Sequence, residues 1–169
     1  MTERLFRPGR VADEPREAAT ARKVAAIVAT LAARTIACSG LDDSPLPWGV
    51  VTRLLGYFHG FSEVICTDWA VAEAGVSTDA TRYAATSIFP QMRECFMAPV
   101  TDEVAASSAF SRGRTAGRTD GERYVTSGSS GAALREMLET AIPVARNIRL
   151  SVADSEEMTT DLARVPRQS

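Results

Sequence analysis

His59 and Glu63 stand at i and i+4 in the run Tyr57-Phe-His-Gly-Phe-Ser-Glu63, with Cys66 and Asp68 just beyond. On a helix, side chains at that spacing share a proton or a metal ion. A metal site needs further ligands, and His59 is the only histidine of the chain, so no imidazole pair can form. No metal or cofactor is expected. The economical reading is a half-buried histidine paired with Glu63 on the border of its helix. Cys66 lies seven residues past His59, about 10 Å along a helix axis, which is too far for a thiolate–imidazole nucleophile. Asp68 adjoins Trp69 in the apolar run Ile65-Cys-Thr-Asp-Trp-Ala70. A carboxylate desolvated there would gain general-acid character. A solvated or arginine-paired aspartate at the edge of an apolar stripe is the simpler expectation, because nothing in the sequence places a second acid opposite it.

Arg112, Arg114, Arg118 and Arg123 gather around Gly113, Gly117 and Gly121, against only Asp120 and Glu122. Glycine with arginine suggests phosphate binding, but the spacing is neither GxGxxG nor GxxxxGK[ST], and no strand precedes it. Arg118 with Glu122 reads as an ordinary i, i+4 pair on a solvated flank. There is no GxSxG elbow and no HExxH run.

The three glycines carry a stronger structural message. With Ala106, Phe110 and Tyr124 they fall in one stripe of a helix, on its buried face. Each glycine in a helix interior costs about 1 kcal/mol against alanine, so the ridge requires something pressed against bare backbone. A polar, glycine-rich loop over 111–121 is the competing reading, and the periodicity favours helix. Gly56 and Gly60 form a shorter counterpart beside the aromatic residues of the second helix. The expectation is that Tyr57, Phe58, Phe61 or Trp69 covers glycine from the other helix.

These elements sit in an all-α, single-domain pattern, an antiparallel bundle of about five helices with flexible ends. The spacing predicts a leader over 1–12, a bundle over 13–153 and a mobile polar tail over 154–169. Apolar periodicity predicts helices over 14–38, 47–74, 78–97, 101–126 and 132–150. Turn formers and prolines over 39–47 separate the first two. Gly75 reads as a helix cap, with Ser77 or Thr78 starting the next helix, so the corner is expected at 74–78. Pro90 should bend or split the third helix, and Pro143 the fifth. The run 127–131 reads as a short flexible joint.

With 169 residues the chain suits one domain, and 45% hydrophobic against 24% charged residues is the balance of a globular protein. A net charge of -2 gives no general attraction to nucleic acid, which is disfavoured as a partner. Eighteen of the nineteen basic residues are arginine, as GC-rich coding would produce. Cys38, Cys66 and Cys95 form no CxxC pair and read as buried free thiols, which fits a reducing compartment and hence the cytoplasm. No stretch approaches the roughly 18 apolar residues of a membrane span.

The function that follows is a non-catalytic interaction or scaffold protein, a small homo-oligomer that packs through its glycine-ridged helices with itself or another protein. Gly56, Gly60, Gly113, Gly117, Gly121, Phe110 and Tyr124 are the packing residues of that reading. The second reading is a small-molecule binder or enzyme with a pocket between the second and fourth helices, lined by His59, Glu63, Asp68 and Arg114 or Arg118.

Overall fold

A computed structural model describes residues 16–41 and 46–141. The leader, the tail, both domain limits, Pro143 and the continuation of the last helix past 141 lie outside the described residues. Among those described, all regular structure is helical, packed as one unit: α1 (Arg16–Ser39), α2 (Trp48–Asp68), α3 (Ala74–Ile88), a 3-10 turn (Pro90–Met92), α4 (Arg93–Met97), α5 (Asp102–Ala106), α6 (Ser108–Ser127) and α7, a helix over 132–141.

Helix α1 buries Ala21, Val24, Ala25, Val28, Ala32 and Ile36 on one side, a face of small and β-branched residues that lies against α3. Helix α2 is the centre. It buries Leu54, Tyr57, Phe58, Phe61 and Ile65 almost completely, and it packs on both α3 and α6. Burial of that apolar surface is the main favourable term of the fold. Phe89 and Phe96 stack at 5.8 Å where the chain turns after α3. Pro90 splits the expected third helix there, as its missing N–H requires.

Three boundaries depart from the periodicity. Helix α2 stops at Asp68, and the corner is five residues earlier than the glycine suggests. Ala70, at φ 53°, takes the left-handed position, with Ala70 N–H donating to Thr67 O at 3.1 Å and Val71 N–H to Cys66 O at 2.9 Å. This is a Schellman ending built on alanine. Gly75 instead lies inside the first turn of α3. The expected fourth helix is two: Ser107 ends α5 and caps α6, its hydroxyl accepting from Phe110 N–H at 3.2 Å, while Thr101 caps α5 in the same manner. A side chain that caps a new helix stops the old one, and periodicity alone does not register it. Ala106 therefore leaves the glycine stripe and is exposed. The joint after α6 is a defined turn in which Gly128, at φ 71°, terminates the helix, its N–H bonded to Tyr124 O at 2.8 Å.

The direction of the central pair also differs. Gly56 meets residues 110–114, Gly60 meets Arg114, Gly117 meets residues 57–61 and Gly121 meets Val64, so α2 and α6 rise together and run parallel, not antiparallel. The chain returns through α3 and the short helices before α6 begins.

Candidate functional site

The glycine ridge forms a helix whose partner belongs to the same chain. The carbonyl oxygens of Arg53 and Tyr57 occupy the places where Cβ atoms of Gly113 and Gly117 would stand. Reciprocally, the carbonyls of Phe110 and Arg114 fill the places at Gly56 and Gly60, with the Arg114 amide nitrogen 2.9 Å from the Gly56 position. Backbone thus meets backbone over two turns on each side. Of the four residues expected to cover the ridge, Tyr57 and Phe61 do so with main-chain atoms and not with their rings, while the atoms nearest the glycines include none of Phe58 or Trp69. Four-residue spacing puts every glycine on one ridge, and bare backbones can approach closely enough for dispersion and Cα–H···O contacts to accumulate. Of the five ridge glycines only Gly121 has a side chain nearest it: a Cβ added there would lie 3.0 Å from the Val64 Cβ. Phe110 is buried at the lower end of this seam. Tyr124 is half-buried at the upper end, with its ring 6.1 Å from Phe61.

Beside the seam lies a residue to which the sequence gives no prominence. Asp120 is fully buried in α6. Its carboxylate accepts from the Tyr57 hydroxyl at 3.1 Å and from the backbone N–H groups of Ala133 and Leu134, at 3.1 and 3.0 Å, in the first turn of α7. One anion therefore ties α2, α6 and α7 together and satisfies two donors that a helix start leaves open. Burial, followed by the Asp120 charge and the hydrogen bond to it, pushes the Tyr57 hydroxyl far above its usual range, so it stays protonated and donating. The only hint in the sequence is an acid three residues after Gly117 and directly before Gly121, beside the ridge.

The histidine pair is present: His59 Nε2 lies 3.4 Å from Glu63 Oε1. Glu63 has a stronger partner across the seam, since Arg114 donates from Nε at 2.9 Å and from Nη2 at 2.7 Å, a bidentate pair. Burial lowers the His59 pKa, Glu63 opposes that shift and Arg114 adds to it, so the imidazole is neutral at pH 7. The His59 ring also lies 5.9 Å from Phe110.

A cavity of about 550 Å³ opens between the second half of α2, the 69–73 corner and α6. It gathers Glu63, Asp68 and Arg118 with Cys66, Glu73 and Val125, while His59 and Arg114 fall outside its lining. Asp68 is exposed, and Arg118 and Glu122 line the cavity without closing an ion pair. Burial and then the charge of Glu63 push the Cys66 thiol up, which makes it a poor nucleophile. Cys66 is the one buried cysteine. Cys38 and Cys95 are exposed, contrary to expectation, because each sits one or two positions off the apolar stripe of its helix. Trp48 and Trp69 lie at the two ends of α2 and are 58% and 43% exposed, so Trp69 is turned to solvent and does not cover the glycine ridge as expected. Among the described residues no group of three or more His, Cys, Asp or Glu stands together as metal ligands would, and no helix is long and apolar enough to cross a membrane. The chain matches no protein-family model, no curated protein and no solved structure with which it was compared.

Proposed function

We propose that this chain acts by binding and not by catalysis, as a stiff helical scaffold that associates with a second copy of itself or with another protein. The observation that supports this is the pair of exposed tryptophans, Trp48 and Trp69, mounted at opposite ends of α2. Tryptophan is the residue type most enriched at interface hot spots, because it buries a large area with little rotamer entropy. The α2–α6 seam supports the same reading by holding the two mounts at a fixed separation. Both glycine ridges are filled within the chain, so association runs over the outer surface, unless two copies exchange α6. A reducing, cytoplasmic setting agrees with three free cysteines.

Sedimentation or light scattering from about 5 to 200 µM tests this. Self-association that weakens in Trp48→Ala and Trp69→Ala supports the homo-oligomeric form. A monomer throughout, together with no tryptophan-dependent partner, rejects the proposal.

The cavity that joins Glu63, Asp68 and Arg118 favours a second reading, a small-molecule binder or enzyme, since its volume is that of ordinary ligand sites. A compound that raises the melting temperature of the wild type but not of Val125→Trp would support it.

A further inference from the structure

The four arginines around the glycines separate onto opposite flanks of α6. Arg114 and Arg118 face the α2 carboxylates or the cavity beside them. Arg112 and Arg123 turn the other way, into a groove of about 510 Å³ between α6 and α7, where Arg53 of α2 joins them. None of these three guanidinium groups has an ion-pair partner among the described residues, and Glu136 is the only carboxylate lining the groove. A protein of net charge -2 thus collects three guanidinium groups against one carboxylate in one concavity, with no ion pair to any of the three among the described residues.

The seam is what assembles them. The Arg53 carbonyl lies against Gly113, which brings Arg53 and Arg112 to the same level of two helices that side chains would otherwise hold apart. Arg123 is eleven residues farther along α6, about 16 Å of rise, and on the same side. Between these poles the lining includes Ala116, Thr119, Ala133 and Met137, with Glu136 its one carboxylate. Arginine forks match phosphate oxygens in bidentate fashion. Two forks at one end and one at the other fit a ligand longer than a single anion.

We propose that the groove of Arg53, Arg112 and Arg123 is a binding site for a small polyanion bearing several phosphoryl groups. The site is independent of the tryptophan surface and of the cavity that holds Arg118. Calorimetry and thermal melting of the full chain with sodium tripolyphosphate at low ionic strength test it, with sodium chloride of matched ionic strength as the reference. Wild type and Arg118→Gln should bind alike, and at 100-fold excess over Kd the melting temperature should rise by about 5 °C or more. Arg112→Gln and Arg123→Gln should each weaken binding about tenfold, the loss of one charge-assisted contact. The triple variant R53Q/R112Q/R123Q should lose the response while melting, without ligand, where the wild type does. A wild-type response no larger than that of sodium chloride overturns the proposal, as do equal losses in Arg118→Gln or unchanged affinity in both single variants.

Discussion

Tyr57 touches α6 twice: its carbonyl oxygen fills the space a Gly117 side chain would need, and its hydroxyl donates to Asp120, three residues farther along the same helix. Main chain and side chain of one residue thus fix both the distance between α2 and α6 and their register. Moving α6 by one turn would bring another ridge glycine, Gly113 or Gly121, to the Tyr57 carbonyl but would put Asp120 beyond the hydroxyl, so the side-chain bond selects among registers that the four-residue glycine spacing leaves open.

Gly117→Ala should therefore destabilise the fold by about 2 kcal/mol or more, because the added methyl meets rigid backbone at Tyr57 and Phe61 and overpacking outweighs the roughly 1 kcal/mol of helix propensity gained. Gly121→Ala meets only the Val64 side chain, at 3.0 to 3.3 Å, and should stay within about 1 kcal/mol of wild type. Urea midpoints of the two variants decide the matter. Equal values would mean that the backbone seam does not set the helix separation.

Asp120→Ala leaves the Ala133 and Leu134 amides and the buried Tyr57 hydroxyl without their acceptor. A loss of about 3 kcal/mol or more is expected, against about 1 kcal/mol for Tyr57→Phe, which removes one donor and leaves the carboxylate two others. In the double variant the losses should fall short of the sum. Amide exchange should show α7 opening in Asp120→Ala before the rest of the molecule.

Ser62 gives the opposite sign. Its side chain is fully buried in α2 and its hydroxyl has no hydrogen-bond partner among the described residues. Ser62→Ala removes an uncompensated polar group and leaves little empty volume, so stability should be unchanged or rise by about 1 kcal/mol. A loss above 1 kcal/mol in thermal melting would show that the hydroxyl is bonded in solution.

The helical class and most of the core of α2 were legible because each rests on a local period: Leu54, Phe58, Phe61 and Ile65 repeat as a buried stripe does. The ridge was legible for the same reason, down to its five glycines. What the ridge touches was not. Helical spacing places residues on a face, but the choice between an aromatic ring and a carbonyl as the covering group depends on how closely two axes approach. The parallel direction is hidden for a related reason, since short connections favour antiparallel neighbours and periodicity runs unbroken through Ser107. Of the candidate site, Glu63, Asp68 and Arg118 do line one cavity, whereas His59 turns toward Phe110. The role of Asp120 is not legible in the sequence, because a buried acid becomes intelligible only once the start of α7 is known to abut it.

His59 gives stability a dependence on pH. Burial lowers its folded pKa below the ordinary 6.5, the charge of Glu63 resisting and that of Arg114 assisting. The unfolded chain therefore takes up the proton first. The contribution of the neutral imidazole is present above pH 6.5 and is lost as pH falls below it toward the folded value. His59→Gln should flatten this part of the profile, so the difference between wild-type and variant urea midpoints should shrink or reverse between pH 7.5 and 5. A constant difference would show that His59 titrates alike in both states.

Ala70 ends α2 at a position that glycine ordinarily holds. Its φ of 53° sets its Cβ against the following carbonyl, while the two Schellman hydrogen bonds at Ala70 and Val71 hold the backbone there. Glycine adopts that conformation without the steric cost, though it also gives the unfolded chain more freedom. The first effect is the larger one at a left-handed position, so Ala70→Gly should stabilise the protein by about 0.5 to 1 kcal/mol. Gly75→Ala supplies the contrast: its Cβ meets open space in the first turn of α3, so it should be neutral or mildly stabilising through helix propensity. If Gly75→Ala destabilised strongly while Ala70→Gly had no effect, the corner between α2 and α3 would lie at the glycine after all.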